Sequence, residues 1–296
     1  MFFAHGSLEI GPAILRSQIG VDHDLRLFAV DRRGVVHDTA LLPCVRVPRR
    51  EVSLFWFVIS GRTSWSGPSE GSIEGPAVLT LDESDFDGAN GKRTWTFRSS
   101  GEPFRGLEVR ASRRLVAAEL RKQPTPLVCT ASTFEAVEAY LSSALDTNAA
   151  GSAVDVLALL DALAPEKIFE PSLKKGISVD EDPRLVALWQ ELASAYARAD
   201  TRPSLKRIAE ATAMSLRNIS RFMTLASREL LLPPGGWRDT TVNLRLTMAM
   251  LFLSCPMISI ADVARAMGYG HSEAMANAFQ RAGLLSPSDA RSAVKP

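Results

Sequence analysis

The strongest constraint on this chain is a short pattern written twice between Ser204 and Arg291. One copy reads Ser204-Leu205-Lys206-Arg207-Ile208-Ala209 and the other Ser259-Ile260-Ala261-Asp262-Val263-Ala264, 55 positions apart. Each opens on a serine, whose hydroxyl can accept from a free amide at a helix start. Apolar residues then recur at helical spacing: Leu205, Ile208 and Ala209 in the first copy, Ile260, Val263, Ala264 and Met267 in the second. A short break and a second helix follow in both. Two helices joined by a tight turn form a helix-turn-helix, so the spacing predicts two such units in tandem, with the rest of the chain arranged around them.

The second helix of each unit carries the candidate chemistry. After Ala213-Met214, Ser215 is a good N-cap for Leu216 to Met223. With Leu216, Ile219 and Met223 turned inward, Arg217, Asn218, Ser220 and Arg221 stand near the helix start on its outer side. Arginine there can grip guanine through two hydrogen bonds or pair with a phosphate. In the second unit the candidates are Ser272, Glu273, Ala276 and Asn277, with Glu273 and Asn277 at the places that arginines hold in the first. A carboxylate is repelled by phosphate yet can accept from cytosine, and asparagine can read adenine. Between the units, Val242, Leu246, Ala249, Met250 and Leu253 form an apolar stripe on one helix that Pro256 ends. For both reading helices to enter successive major grooves they must sit about 34 Å apart.

The spacing of Arg245, Ala249, Ile260, Val263-Ala264, Gly268-Tyr269, Met275, Phe279, Ser286-Pro287 and Arg291 resembles the signature of AraC-type transcriptional regulators. The resemblance covers 204–291 and is compatible with a preceding helix from Pro183 with Leu185, Leu188, Trp189, Leu192 and Tyr196 on one face. It implies a sequence-specific regulator that binds double-stranded DNA through 183–296, behind an N-terminal domain that senses a small molecule or dimerises, with RNA polymerase as a further partner. The chain departs from the family pattern at Glu273 and Asn277, where a neutral residue and an arginine are usual, and in a longer stretch from Met223 to Arg245 that includes Pro233-Pro234 and Gly235-Gly236.

Charge supports the division. Residues 202–296 carry a formal charge of +6 and residues 1–201 one of −5, so the whole chain's +1 hides a basic back half suited to a polyanion. The front half, 1–125, is read as short strands (Leu25 to Val30, Leu54 to Ile59, Val78 to Leu81, Thr94 to Arg98, Leu107 to Arg110) set off by turns at Gly20, Gly61, Gly75-Pro76 and Gly101 to Pro103. That order looks like a cupin-type β-barrel. Its candidate ligand-lining residues are Arg46, Trp56, Trp65, Trp95 and Phe97, against the plainer reading that the aromatics fill the core.

A helix is expected from Ser112 to Lys122. A helical hairpin follows from Phe134 to Leu145 and Ala153 to Leu163 within 126–170, either a dimer seam or packed on its own barrel, and 171–182 is read as a linker. The expected class is therefore α+β: a barrel, a hairpin and an all-α DNA-binding domain. Histidines 5, 23 and 37 include no His-x-His, and no nucleophile elbow or phosphate-binding loop is present, so no metal, cofactor or enzymatic activity is expected. Cys44, Cys129 and Cys255 lack the spacing of a disulfide framework or zinc site. With no long apolar run and no signal-like start, the chain is expected to be cytoplasmic and not membrane-bound. Two other readings stay open: a protein-interaction regulator whose second unit is degenerate, and a cupin enzyme fused to a DNA-binding domain.

Overall fold

A computed structural model describes residues 1–41, 52–82, 94–117, 123–146, 151–175, 177, 183–197, 205–219, 221–222 and 237–294. The front half is one antiparallel sheet of nine strands: β1 (Phe2–Ile10), β2 (Ala13–Val21), β3 (Leu25–Arg33), β4 (His37–Asp38), β5 (Val52–Ser66), β6 (Gly71–Glu74), β7 (Ala77–Asp82), β8 (Thr96–Ser112) and β9 (Thr125–Leu127). Its path runs β1-β2-β3-β8-β5-β7-β9, with β4 on β8 and β6 on β5. The expected barrel is not closed: among the described residues β1 and β9 end the path unpaired with each other. A helix takes the place of a further strand at β1, where the Trp189 indole N–H donates to the Phe3 carbonyl at 2.8 Å.

Two strands are longer than the sequence suggested. Gly61 and Gly101 to Pro103, expected as turns, lie inside β5 and β8. The pairing of these strands shifts register on either side of Ser60. Gly61 (φ +89°) faces Gly101 (φ +101°), and a Cβ on Gly101 would stand 2.8 Å from the Gly61 Cα, so only glycine fits this shared corner. Strands β1 and β2 lie outside the segments with local strand signals. Gly20 is not a turn but a strand position under the Phe3 ring, 3.0 Å from where its Cβ would be.

The helix expected at Ser112 to Lys122 does not begin there. Strand β8 runs through Ser112, a single 3-10 turn covers Arg113–Leu115, and Val116 bridges to Phe169. Ser112 is held in extended pairing with Val52 while its hydroxyl donates to Asp24 at 2.6 Å, which takes it out of a helix start. Residues 118–122 lie outside the described set.

The hairpin helices form as read: α1 (Ala131–Ala144) and α2 (Ala153–Leu163). Their apolar faces (Val137, Leu141, Val156, Leu160, Leu163) share one core with Leu27, Phe55, Phe57, Leu107 and Val109 of the sheet. Burying such side chains contributes roughly 1.5–3 kcal/mol each. Glu166, just past α2, accepts from the Thr130 amide (2.7 Å) and hydroxyl (2.6 Å) and the Thr133 hydroxyl (2.5 Å), which ties the start of α1 to the end of α2. These bonds hold the Glu166 carboxyl below its ordinary value. Within 171–182, Ser172–Lys175 form a helical turn, α3, that buries Leu173.

The remaining helices are α4 (Pro183–Ala197), α5 (Leu205–Thr212), α6 (residues 216–219 and 221–222), α7 (Trp237–Leu253), α8 (Ile260–Ala266), α9 (Ser272–Arg281) and α10 (Pro287–Ala293). Among the described residues no helix is long and apolar enough to cross a membrane.

Candidate nucleic-acid interface

Both units are built on one local plan. In the first, α5 ends at Ala213, whose φ is +52°, and the Met214 amide donates back to the Ala209 carbonyl at 3.1 Å. In the second, α8 ends at Gly268 with φ +72°, and the Tyr269 amide donates to the Ala264 carbonyl at 2.9 Å. The two left-handed residues are 55 positions apart, the offset of the sequence repeat. After the turn the second unit is one residue longer, so Arg217 and Glu273 are the matching positions.

The second helix of each unit exposes part of its candidate set. In α6, Arg217, Asn218 and Arg221 are exposed; Ser220 lies outside the described residues. Ser215 accepts from the Asn218 amide at 3.3 Å and so caps the helix. The inner face differs from expectation in one respect. Ile219 and Phe222 are buried, whereas Leu216, expected inward, is 57% exposed. Ile219 and Phe222 are one helical turn apart and meet Leu188, Trp189 and Ile208 of α4 and α5, a face from which Leu216 is turned away. Met223 lies outside the described residues.

In α9, Glu273 and Asn277 are exposed and Ser272 and Ala276 half-buried, while Met275 and Phe279 are fully buried. The cap of α9 was not foreseen. His271 accepts from the Ala274 amide through Nδ1 at 3.2 Å and stands exposed 3.9 Å from Glu273. Its position immediately before Ser272 was the available signal, since a ring nitrogen can do what a serine hydroxyl does at a helix start.

The second unit is firmly framed. Ser259 caps α8 from the Asp262 amide at 3.0 Å and returns its hydroxyl to that carboxylate at 2.6 Å; the Ser259 bond is the main cause of the lowered Asp262 pKa. Ser286 and Asp289 repeat the arrangement at α10. Arg291 donates to the Leu253 carbonyl at 3.2 Å and the Ile258 carbonyl at 2.7 Å, satisfying oxygens left free at and beyond the end of α7. Arg245 lies over the Tyr269 ring at 4.9 Å. The Ser204 cap of the first unit, and the long stretch holding Pro233-Pro234 and Gly235-Gly236, lie outside the described residues.

The ligand-lining candidates separate. Trp65, Trp95 and Phe97 are buried, Trp65 closing over Gly71 and Trp95 over Gly67. Trp56 is half-buried and meets Phe97 edge-on at 5.4 Å, and Arg46 lies outside the described residues. On the same sheet face, Phe28, Glu108 and Trp56 share one cross-strand row, and Arg26, Arg110 and Leu54 the next. Glu108 is buried and takes the Arg110 Nε at 2.6 Å. Burial alone would raise its carboxyl, but Arg110, Arg26 and His37 bring it below its ordinary value. Arg32 is buried over the Phe104 ring at 4.0 Å and donates to the Ser99 carbonyl, and burial pulls its pKa down to about 9. Among the described residues no His, Cys, Asp and Glu side chains cluster as metal ligands.

No protein-family model and no curated protein matches the chain. Among solved structures, ToxT from Vibrio cholerae is 12% identical, covering 90% of this chain and 97% of its own, at a TM-score of 0.37. ToxT bound to (E)-4-(8-methylnaphthalen-1-yl)but-3-enoic acid is 11% identical over 100% of both chains, at 0.36. The Clostridium difficile EutQ protein is 11% identical over 36% of this chain and 75% of its own, at 0.23. Likenesses at this level carry no functional argument, which rests on the geometry alone.

Proposed function

We propose that the chain is a sequence-specific DNA-binding transcriptional regulator, with 183–296 as its reading domain, 1–125 as a sensing or dimerising domain, 126–170 as the hairpin and 171–182 as the connection. The observation that carries this reading is the doubled unit. Two helices stand on matching turns, and each hides an apolar face while presenting its opposite, polar face to solvent. Affinity comes from Arg217 and Arg221, which pair with phosphate or guanine, and sequence selection is shared with Asn218, Ser220, Ser272, Glu273, Ala276 and Asn277. Glu273, whose side chain is 88% exposed, makes the second helix a reader of base edges rather than a phosphate grip. A small-molecule effector at Trp56, a homodimer and contact with RNA polymerase complete the proposal.

The test is selection of bound sequences from random DNA by the full chain, followed by titration of the recovered sequence. Arg217→Ala with Arg221→Ala should weaken binding and flatten its salt dependence by about two units of log-log slope. Unchanged affinity and slope would remove α6 from the interface. Enrichment of no sequence would instead favour a regulator that acts through protein contacts.

A further inference from the structure

The first strand touches both reading units, one at each end. At its start, the Phe2 ring lies 5.7 Å from that of Trp189, and Phe2 and Ala4 share an apolar cluster with Leu188, Trp189, Ile208, Ile219 and Phe222. The Trp189 indole is hydrogen-bonded to the Phe3 carbonyl. This end therefore holds α4, and through α4 the helices α5 and α6. At the other end, the tip of the β1–β2 hairpin meets the segment between α7 and α8: the Ile258 side chain reaches Gly11, where a Cβ would lie 3.7 Å from it. Ile10, Ala13 and Val35 belong to one apolar cluster with Ile258, Val263, Met275 and Phe279. Two polar bonds from outside the hairpin join the sheet to the same unit, the Val36 amide, after β3, to the Ser254 hydroxyl at 2.7 Å and the Arg98 guanidinium, on β8, to the Val294 carbonyl at 2.8 Å.

We infer that the β1–β2 hairpin is a strut that sets the separation of the two reading helices. The inference rests on the DNA-reading proposal for its purpose, but not for its geometry. From Phe2 to Ile10 a strand spans about 26 Å at its usual rise of about 3.3 Å per residue. Helix α7, which joins the units along the chain, spans about 24 Å at about 1.5 Å per residue. Helix α7 is bound to the second unit, where Arg291 holds the Leu253 and Ile258 carbonyls and Arg245 lies over Tyr269; the residues between α6 and α7 lie outside the described set. Strand β1, of similar length, paired to β2 along its whole course and packed against both units, ties the first unit to the second by a route other than the chain. Phe2, Trp189, Ser254 and Ile258 are thus positioning residues for readers that they do not touch DNA to serve.

The test measures the separation directly. Spin labels at Glu210→Cys and Gln280→Cys, both exposed positions, are placed in the full chain with Cys44 and Cys129 changed to serine. The distance distribution of this protein should be a single narrow peak. Phe2→Ala with Trp189→Phe frees one end, Ser254→Ala with Ile258→Ala the other, and each should at least double the width of the peak. Val137→Ala, on α1 in the core shared with Phe55 and Leu107 and outside the contacts with either unit, serves as a control of comparable destabilisation and should leave it narrow. Circular dichroism selects the variants that keep native helix and strand content; Arg98→Gln, at the margin of the contact, supplies a milder variant that should broaden the peak measurably if the larger ones unfold. Unchanged widths in folded variants would overturn the strut. Random-DNA selection provides the second arm: the full chain should recover two half-motifs at one spacing, and the freed variants several spacings. A broadened distance with no motif recovered by the unmodified chain retains the strut and overturns the DNA reading, whereas a recovered motif whose spacing does not change in the freed variants does the reverse.

Discussion

The two units share a plan and divide its duties unequally. The first carries the outward arginines, Arg217 and Arg221, and turns on Ala213, an alanine in a backbone region that suits glycine. The second turns on Gly268, is capped at α8, α9 and α10, and buries Val263, Ala264, Met267, Met275 and Phe279. The outward arginines and the fuller set of described caps fall in different copies of one motif. A repeated motif therefore need not repeat its role, and matching positions such as Arg217 and Glu273 are informative because they differ.

The comparison breaks most readily in the core of the second unit. Phe279→Ala should cost about 3–5 kcal/mol in denaturant unfolding followed by circular dichroism; a loss under about 1 kcal/mol would show that the second unit is not the rigid one. Arg291→Met should come next, at about 2 kcal/mol, because it strips a charged donor from the carbonyls of Leu253 and Ile258. The turns give an opposed pair. Gly268→Ala should lower stability, and Ala213→Gly raise it, each by about 1 kcal/mol, and equal signs would dissolve the contrast drawn at the turn. Giving the second reader the first one's charge sharpens the comparison further: Asn277→Arg should steepen the salt dependence of DNA binding by about one unit of log-log slope.

The smallest effect lies outside the units. The folded-state carboxyl of Glu166 is held below its ordinary value of 4.5, so its contribution to stability is present above about pH 4.5 and is lost as the pH falls through the lowered folded value. Glu166→Gln should remove that part of the acid-side decline, read as the midpoint of denaturation against pH.

Much of the back half was legible because its signals are local. Ser259, Ser215 and the spacing of Ile208 with Ala209 or Val263 with Ala264 fix a cap, a face and a turn within a few residues. The front half was harder for the opposite reason. Gly20, inside β2, reads locally as a turn until the partner strand places Phe3 over it. Strand β8 looked like two because Gly101 and Pro103 are turn residues locally, and only the facing Gly61 on β5 makes them a corner within one strand. Leu216 was misplaced because helical spacing alone allows more than one inward face, and the choice fell to where Trp189 and Ile208 stand. Period and cap placed the candidate residues on helices α6 and α9, while the cap role of His271 needed the geometry of the amide it accepts.

The corner at Gly61 and Gly101 has a consequence for how the sheet opens. On one side of it, β5 and β8 lie beneath α1 and α2 in a core closed by Phe55, Phe57 and Leu107; on the other, the same strands carry Trp65, Phe97 and Arg98 toward the end of α10. The register break interrupts the ladder between these halves, so they are expected to open as separate cooperative units in amide exchange. Hydrogen exchange read by mass spectrometry should therefore show the amides of 96–100 exchanging earlier in Arg98→Gln while those of 107–111 keep their rates.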